Sequence, residues 1–193
     1  MALPEKKQKY YSYADYLSWD SRERWEIIEG RLYNLASPSD VHQELSVILS
    51  SKFYNYFQNK TCRVYTAPFD VSFPSDSLDG DDKVYDVVQP DIIIVCDKNK
   101  ISRKGCRGAP DIVIEILSPS TASKDFIRKQ RLYEKNKVKQ YWIVDPEEKS
   151  VFVFKLNEQS QYSRPEEYNK EDKIQLDGFE GLEIDLAGVF TEK

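Results

Sequence analysis

The sequence has few of the residues on which zinc centres and serine hydrolases depend. It contains one histidine, His42, and three cysteines, Cys62, Cys96 and Cys106, with no C-x-x-C pair. This set lacks the closely spaced ligand pairs of a structural zinc site, and His42 has no G-x-S-x-G neighbour that would indicate a Ser-His-Asp triad. The seven glycines form no glycine-rich phosphate loop. We interpret the three cysteines as reduced thiols in a reducing compartment.

Long apolar runs are also missing. The longest strongly apolar run extends from Ile92 to Cys96, far below the ~20 residues that a membrane-spanning helix needs. The first residues, MALPEKKQKYYSY, contain no apolar stretch long enough for a signal peptide. The sequence therefore predicts a soluble, cytoplasmic protein.

The length and the composition are those of an ordinary globular protein. The 193 residues are 40% hydrophobic and 32% charged, and no repeat or Pro/Gly/Ser linker divides them. A chain of this size can bury a full core without disulfides. We expect a single domain over residues 1–193.

Charge is unevenly distributed along the chain. The net charge of −5 argues against a protein that coats nucleic acid. Residues 98–107 and residues 124–139 nevertheless carry a net charge of +5 each, which leaves −15 for the remainder. These two basic segments could guide a phosphate backbone, and ordinary solvated surface charge explains them equally well.

The apolar periodicity predicts an α/β fold in which helices flank a central mixed β-sheet. Helices are expected from Ser12 to Trp19, from Asp40 to about Gln58 and from about Ser123 to Lys135. Strands are expected as a hairpin in WEIIEGRLYNLA and in CRVYTA, FDVSF, QYWIV and VFVFKL. The unbroken apolar runs DIIIV and DIVIEIL are typical of strands covered on both faces, and we expect them to be adjacent.

Two acidic residues stand on these central strands. Asp91 opens one strand after Pro90, and Glu115 stands in the middle of the other. Burying an ionised carboxylate without a partner costs several kcal/mol, so each of them needs a cation or strong donors. A Mg²⁺ or Mn²⁺ ion would satisfy two converging carboxylates, and a structural salt bridge is the alternative.

One base on the third helix departs from the pattern of its neighbours. At ~100° per residue, Phe126 and Tyr133 centre the apolar face, and Lys129 falls beside them, so we expect it to point toward the two acids. The alternative is a lysine whose stem covers apolar surface while its ammonium reaches water. The basic residues predicted to share the solvent face are Lys124, Arg128, Arg131 and Lys135.

The acidic loop SDSLDGDD invites comparison with a calcium-binding loop. It lacks the D-x-D-x-D-G order and the glutamate that closes a twelve-residue calcium loop. We expect a solvated loop, in which the acidic residues are Asp76, Asp79, Asp81 and Asp82.

The two central strands resemble the signature of the PD-(D/E)xK, or restriction-endonuclease-like, superfamily. Pro90-Asp91 and Glu115-Ile116-Leu117 match its pattern, except that Leu117 stands where the lysine should be. Some branches of the superfamily carry this lysine on the following helix, and Lys129 lies there. The amino-acid sequence is similar to the Uma-type branch of this superfamily in the segments WEIIEGRLY, SPSDVHQEL, VVQPDIIIV, GAPDIVIEILSPST, KDFIRKQRLYEKNKVKQYWIVDP and GFEGLEIDL.

The resemblance implies a role for each of these residues. Asp91 and Glu115 would be catalytic residues that bind Mg²⁺ or Mn²⁺, with the main-chain carbonyl of Ile116 as a third ligand. Lys129 would be the catalytic lysine, and Glu26 would be the acidic residue that completes the site.

Four further assignments depend on position in the chain. Glu29, at the expected turn, is the alternative to Glu26, which could itself be an exposed strand carboxylate. His42, in the first turn of its helix, is a candidate substrate-binding residue or a structural one, and the helix dipole favours its neutral imidazole. Asp111 lies ~13 Å along the strand from Glu115, so we exclude it as a ligand.

The resemblance implies a metal-dependent endonuclease that hydrolyses phosphodiester bonds in nucleic acid, with DNA as the expected substrate. One alternative is a nuclease-fold protein with little or no turnover that binds nucleic acid. Another is a structural component of a complex, with the basic segments as its contact surface. A homodimer is compatible with the sequence.

Overall fold

The structure, a computed structural model, describes residues 9–20, 23–118 and 122–191. In these residues it has three α-helices, α1 (Tyr13–Leu17), α2 (Asp40–Phe57) and α3 (Ala122–Lys135). The predicted starts of α1 and α2 are confirmed, because the residues that cap these helices lie next to them in the sequence. The Ser12 hydroxyl and the Asp15 carboxylate each accept a hydrogen bond from the other residue's backbone N–H, and the Ser39 hydroxyl caps α2.

Strands account for most of the remaining regular structure, together with two short 3-10 helices at Asp81–Lys83 and Lys98–Lys100. In chain order the strands are β1 (Trp25–Ile28), β2 (Arg31–Asn34), β3 (Arg63–Thr66), β4 (Val71–Ser72), β5 (Val87–Val88), β6 (Ile92–Val95), β7 (Ile101–Ser102), β8 (Gly105–Arg107), β9 (Ile112–Ile116), β10 (Gln140–Asp145), β11 (Ser150–Lys155), β12 (Glu166–Asn169), β13 (Lys173–Gln175) and β14 (Glu183–Asp185).

The strands form two large sheets and a separate β13–β14 hairpin. The central sheet has the order β12-β11-β10-β9-β6-β3 and is mixed, because β9 and β10 are parallel while their other neighbours are antiparallel. The predicted mixed sheet is therefore confirmed. A second sheet, in the order β2-β1-β5-β4-β8-β7, forms around the N-terminal hairpin.

Both faces of the central sheet are covered, as its continuous apolar strands require. On one face, Ile92, Ile114 and Trp142 pack with α2 and with the chain segment that contains β13 and β14. On the other face, Ile93 and Val113 pack with α3 and with side chains of the second sheet. The helix α3 and the second sheet therefore share one side of the central sheet.

The central strands β6 and β9 are adjacent, as predicted, and they pair in antiparallel orientation. Ile92 lies opposite Ile114 in their register. Asp91 is one residue before Ile92 and Glu115 is one residue after Ile114, so the two acids face each other at the same end of the strand pair. Because opposite residues share a face of a sheet, both carboxylates lie on the side of α3.

The interpretation of all three cysteines as reduced thiols is wrong for two of them. Cys62 and Cys96 form a disulfide, and Cys106 is free and buried. The pairing follows from strand register, because Arg63 and Val95 are partners in β3 and β6 and the two cysteines are the next residues outward. A separation of 34 residues hid this proximity in the sequence.

Within the described residues, no helix has both the length and the apolar character needed to cross a membrane.

Candidate active site

Asp91 and Glu115 are joined through the backbone of β9. Asp91 Oδ2 accepts a hydrogen bond of 2.8 Å from the backbone N–H of Ile116, the residue next to Glu115. The same oxygen lies 3.0 Å from Nε2 of His42 on α2. A strand of the central sheet and the helix α2 therefore fix the orientation of the Asp91 carboxylate.

Lys129 points into the site, as the helical wheel predicts. Its Nζ lies 3.0 Å from Glu115 Oε1 and 2.9 Å from Glu26 Oε1. The Lys129 side chain is 12% exposed and the Glu26 side chain 4%, so neither the alternative of a lysine that reaches water nor that of an exposed Glu26 holds. The backbone N–H of Gln89 also donates to Glu26 Oε1, at 3.0 Å.

Tyr133 supplies a second donor to Glu115. It lies one turn after Lys129 on α3, is fully buried, and donates its hydroxyl to Glu115 Oε1 at 2.6 Å. Burial, followed by the charges of Glu115 and Glu26, raises the pKa of Tyr133 well above its ordinary value, so the hydroxyl keeps its proton. Both α3 donors therefore reach the same carboxylate oxygen.

The charges in this cluster do not balance. Burial raises the pKa of Glu115. The charge of Lys129 lowers this pKa by a smaller amount, and the charges of Asp91 and Glu26 raise it further. Burial alone would lower the pKa of Lys129, but the three surrounding carboxylates raise it well above its ordinary value. The two partners respond differently because one ammonium is shared among three carboxylates. Lys129 stays charged, and an excess of negative charge remains.

His42 responds to two opposing influences. Burial lowers the pKa of His42, but the hydrogen bond and the charge of Asp91, with that of Glu115, outweigh burial and raise the pKa above its ordinary value. Its Nδ1 is buried and has no hydrogen-bond partner among the described residues, so protonation would bury an unpaired N–H. The charges of the carboxylates therefore favour the protonated imidazolium, whereas the lack of a partner for Nδ1 among the described residues favours the predicted neutral imidazole.

A cleft of about 560 Å³ opens over these side chains. Its lining includes Glu26, His42, Asp91, Glu115 and Lys129, so the structure brings all five predicted site residues together. Its volume is within the range of small-ligand sites. The walls come from the connection between β2 and α2, from the first turns of α2 and from the loop after β3.

The residues that the sequence assigned lower priority lie elsewhere. Glu29 is exposed at the turn between β1 and β2. Asp111 stands at the other end of β9, where its carboxylate accepts hydrogen bonds from the backbone of Cys96 at 2.7 Å and from Lys139 at 2.7 Å. Its exclusion as a ligand is consistent with this position.

The helical wheel predicts that Arg128 faces solvent, but its side chain also contacts another part of the protein. Its guanidinium lies 4.2 Å from the centre of the Tyr33 ring, and Tyr33 lines the cleft. The sequence places Arg128 correctly on the outer side of α3, but the approach of β2 to this side depends on tertiary structure. Arg131 and Lys135 are exposed, as predicted, whereas the side chains of Lys124 and Phe126 lie outside the described part of the chain.

Basic side chains form hydrogen bonds with the acidic loop. Asp81 accepts hydrogen bonds from Lys104 at 2.6 Å and from Arg107 at 3.2 Å. Asp76 and Asp79 are tied to each other through the Asp76 backbone N–H, at 2.8 Å. These contacts agree with an ordinary polar loop, as expected.

The donor set of the cleft fits a hard divalent cation. Asp91, Glu115 and Glu26 offer carboxylate oxygens, the ligands that Mg²⁺ and Mn²⁺ prefer, and carry more negative charge than Lys129 neutralises. The hydrogen bonds observed on these two acids reach Oδ2 of Asp91 and Oε1 of Glu115, so Oδ1 and Oε2 are the candidate metal ligands. Across residues 9–20, 23–118 and 122–191, however, no three His, Cys, Asp or Glu side chains already converge as a metal site. Two carboxylates would need main-chain or water ligands to complete the shell.

Sequence reasoning missed three residues that shape the site. Tyr133 was placed on the apolar face of α3, and its hydroxyl, four residues after Lys129, was the available signal. Gln89 acts through its backbone N–H, which no side-chain pattern reveals. Tyr33 lines the cleft and meets Arg128, and strand alternation gives no indication of either contact.

Comparison with known proteins adds three findings. The profile of the Uma2 family, described as "Putative restriction endonuclease", matches residues 13–187. "Uncharacterized protein slr1290" of Synechocystis sp. is 27% identical over 132 residues, which are 67% of this chain and 65% of the relative. The match thus spans slightly less than two thirds of that relative's length.

The third finding concerns the fold. The crystal structure of "a putative nuclease belonging to DUF820" from Anabaena variabilis superposes with a TM-score of 0.74 at 20% identity, covering 93% of this chain and 97% of that chain. The restriction-endonuclease-like fold expected from the sequence is therefore confirmed.

Proposed function

The chain belongs to the Uma2 family, described as "Putative restriction endonuclease", and from this premise we propose that it is a metal-dependent endonuclease that hydrolyses phosphodiester bonds in nucleic acid. DNA is the expected substrate. The observation that carries the proposal is the meeting of Asp91 and Glu115 with Lys129 in one cleft. Lys129 comes from the helix that follows the Glu115 strand, so the displaced lysine still reaches the acidic pair.

Each residue of the cleft would have its own role in hydrolysis. Asp91 and Glu115 would hold Mg²⁺ or Mn²⁺ through the oxygens that His42, Ile116, Lys129 and Tyr133 leave available. A metal ion held there would polarise the phosphate and lower the pKa of a water molecule.

Lys129 would orient the attacking water and offset the negative charge that grows on the phosphoryl oxygens. Glu26, like Glu115, contacts the Lys129 ammonium and helps to hold it in place. His42 holds Asp91 Oδ2, so that Oδ1 would be the oxygen that binds the metal, and the same histidine lines the cleft, where substrate would pass.

A cleavage assay with and without Mg²⁺ or Mn²⁺, on varied DNA and RNA, tests the proposal. Lys129→Ala should reduce metal-dependent cleavage by about 10²- to 10⁴-fold, the usual contribution of a positioned group. Lys137→Ala changes an exposed base beyond the end of α3 and should cut like the wild type. Equal cleavage by the wild type and by Lys129→Ala would show that Lys129 has no catalytic role.

One observation favours the alternative of a nuclease-fold protein that binds nucleic acid without turnover. Lys129 is already held by two carboxylates at 2.9 and 3.0 Å, and it stands between Glu26 and Glu115. If this arrangement persists with metal present, the lysine neutralises the acids and is not available to substrate. Salt-dependent DNA binding without cleavage under any divalent metal would support this alternative.

A further inference from the structure

The structure separates the two basic segments of the sequence. In residues 98–107, Lys104 and Arg107 hydrogen-bond to Asp81, and Lys100 donates to the carbonyl of Ala109 at 2.8 Å. Much of the charge of this segment is therefore used within the protein. A phosphate backbone would have to compete with these internal partners.

The second segment presents its bases along the outer side of α3. Arg128, Arg131 and Lys135 line a groove of about 400 Å³ between α3 and the end of β1, which we call the α3 groove. These positions are three and four residues apart, so they follow one face of the helix over ~10 Å. Among the residues whose side chains the structure describes, Glu29 is the one acidic residue that lines the groove.

Two of the three bases of the α3 groove are exposed to solvent and accessible to a ligand. Arg131 is exposed. The Lys135 side chain is 66% exposed, and its contact with Asp86 is long, at 3.4 Å. The lysine end of this long pair is exposed, whereas Asp86 is buried and also accepts a hydrogen bond from the backbone N–H of Glu29, so Lys135 is the partner that a phosphate can reach.

The α3 groove adjoins the cleft. Arg128 and Lys129 are consecutive residues of α3. Lys129 lies in the cleft, and Arg128 lines the groove. Tyr33 connects them, since it lines the cleft while its ring contacts the Arg128 guanidinium at 4.2 Å. A chain that leaves the cleft past Tyr33 therefore meets Arg128, and next Arg131.

We propose that the α3 groove binds the phosphate backbone of nucleic acid outside the cleft, with Arg128, Arg131 and Lys135 contacting successive phosphates. The inference rests on the proposed function, because it names the path that the substrate of that cleft follows. Phosphate is the ligand that suits a row of arginine and lysine side chains, and the contact carries no sequence information.

Binding of a short fluorescein-labelled DNA, as duplex and as single strand, tests the proposal. Fluorescence anisotropy would be followed across a salt series in EDTA, so that no cleavage occurs. Each lost phosphate contact lowers the slope of log affinity against log salt by about 0.9 for duplex and about 0.7 for single strand. For duplex this corresponds to an affinity about eightfold weaker at ~0.1 M salt.

Arg131→Ala should show the loss of one contact, and Arg131→Ala with Lys135→Ala the loss of two. Arg103→Ala is the matched control, because it removes an exposed arginine from the other basic segment and should leave the slope unchanged. The strand form whose slope falls identifies the form of DNA in the groove.

The failures of the two proposals are distinguishable. Wild-type binding with slopes that are equal for wild type, Arg131→Ala and the double variant overturns the α3 groove alone. Equal losses in Arg131→Ala and Arg103→Ala also overturn it, because net charge would then explain binding. A wild type that neither binds nor cleaves either form of DNA, with RNA uncut as well, rejects the proposed function and the groove with it.

Discussion

Replacement of Lys129 by methionine removes the cation that Glu26 and Glu115 share while keeping most of the volume of the side chain. The change leaves the carboxylates of Glu26 and Glu115 buried near each other without the ammonium that lies between them. Breaking a buried ion pair by removing one partner typically costs about 3–5 kcal/mol. For a chain of this size, that corresponds to a decrease in Tm of about 6–20 °C.

The charges give this decrease a characteristic pH dependence. Without Lys129, the pKa of Glu115 should rise further above its ordinary value, because the charge that most strongly opposes the effect of burial is then absent. A carboxyl with a raised folded-state pKa stabilises the protein in acid and loses that contribution as the pH increases. The destabilisation should therefore be largest at neutral pH and should shrink in mild acid.

Thermal unfolding followed by circular dichroism would measure these effects. Lys129→Met combined with Glu115→Gln should recover part of the lost Tm, because one of the two uncompensated charges is then absent. Arg131→Met, an exposed change on the same helix, should stay within about 0.5 kcal/mol of the wild type. A Lys129→Met variant that unfolds at the wild-type temperature at every pH would refute the buried ion pairs.

Three further predictions concern the acids and Tyr133. Mg²⁺ or Mn²⁺ should stabilise the wild type by mass action, and Asp91→Ala or Glu115→Ala should abolish this effect; calorimetric titration that detects equal metal binding in all three proteins rejects the assignment. Tyr133→Phe should lower the free energy of unfolding by about 1.5–3 kcal/mol, since a hydrogen bond to a buried carboxylate is lost, and an unchanged denaturation midpoint would contradict that bond. Because the pKa of Glu115 is raised in the fold, the wild type without metal should lose stability relative to Glu115→Gln as the pH rises through that pKa; parallel stability curves would exclude this.

Local patterns in the sequence were sufficient to predict the elements that build the site. The unbroken apolar character of β6 and β9 predicts central strands, and their antiparallel pairing places Asp91 opposite Glu115. Helical periodicity sets Lys129 apart from the other bases of α3. These inferences depend on a continuous apolar run or on a period of 3.6 residues, and a short segment carries either signal by itself.

The features that the sequence did not predict depend on contacts between distant segments. The Cys62–Cys96 disulfide requires the register of β3 and β6, which no local pattern sets. Apart from the predicted β1–β2 hairpin, the second sheet consists of strands of only two or three residues, too short for a period to appear. The contact of Arg128 with Tyr33 requires the approach of β2 to α3.

The geometry of Glu115 explains how a lysine on a helix can stand in for a lysine on the strand. Alternate residues of a strand share a face, so residue 117 points to the same side of the sheet as Glu115. Leu117 occupies this position and packs in the apolar cluster between the central sheet and the elements that cover it, among them α3. Because α3 covers this same face, Lys129 approaches the carboxylate from the side on which a strand lysine would lie, and reaches it at 3.0 Å. The position of the ammonium is therefore set by the face of the sheet, and either the strand or the covering helix can supply it.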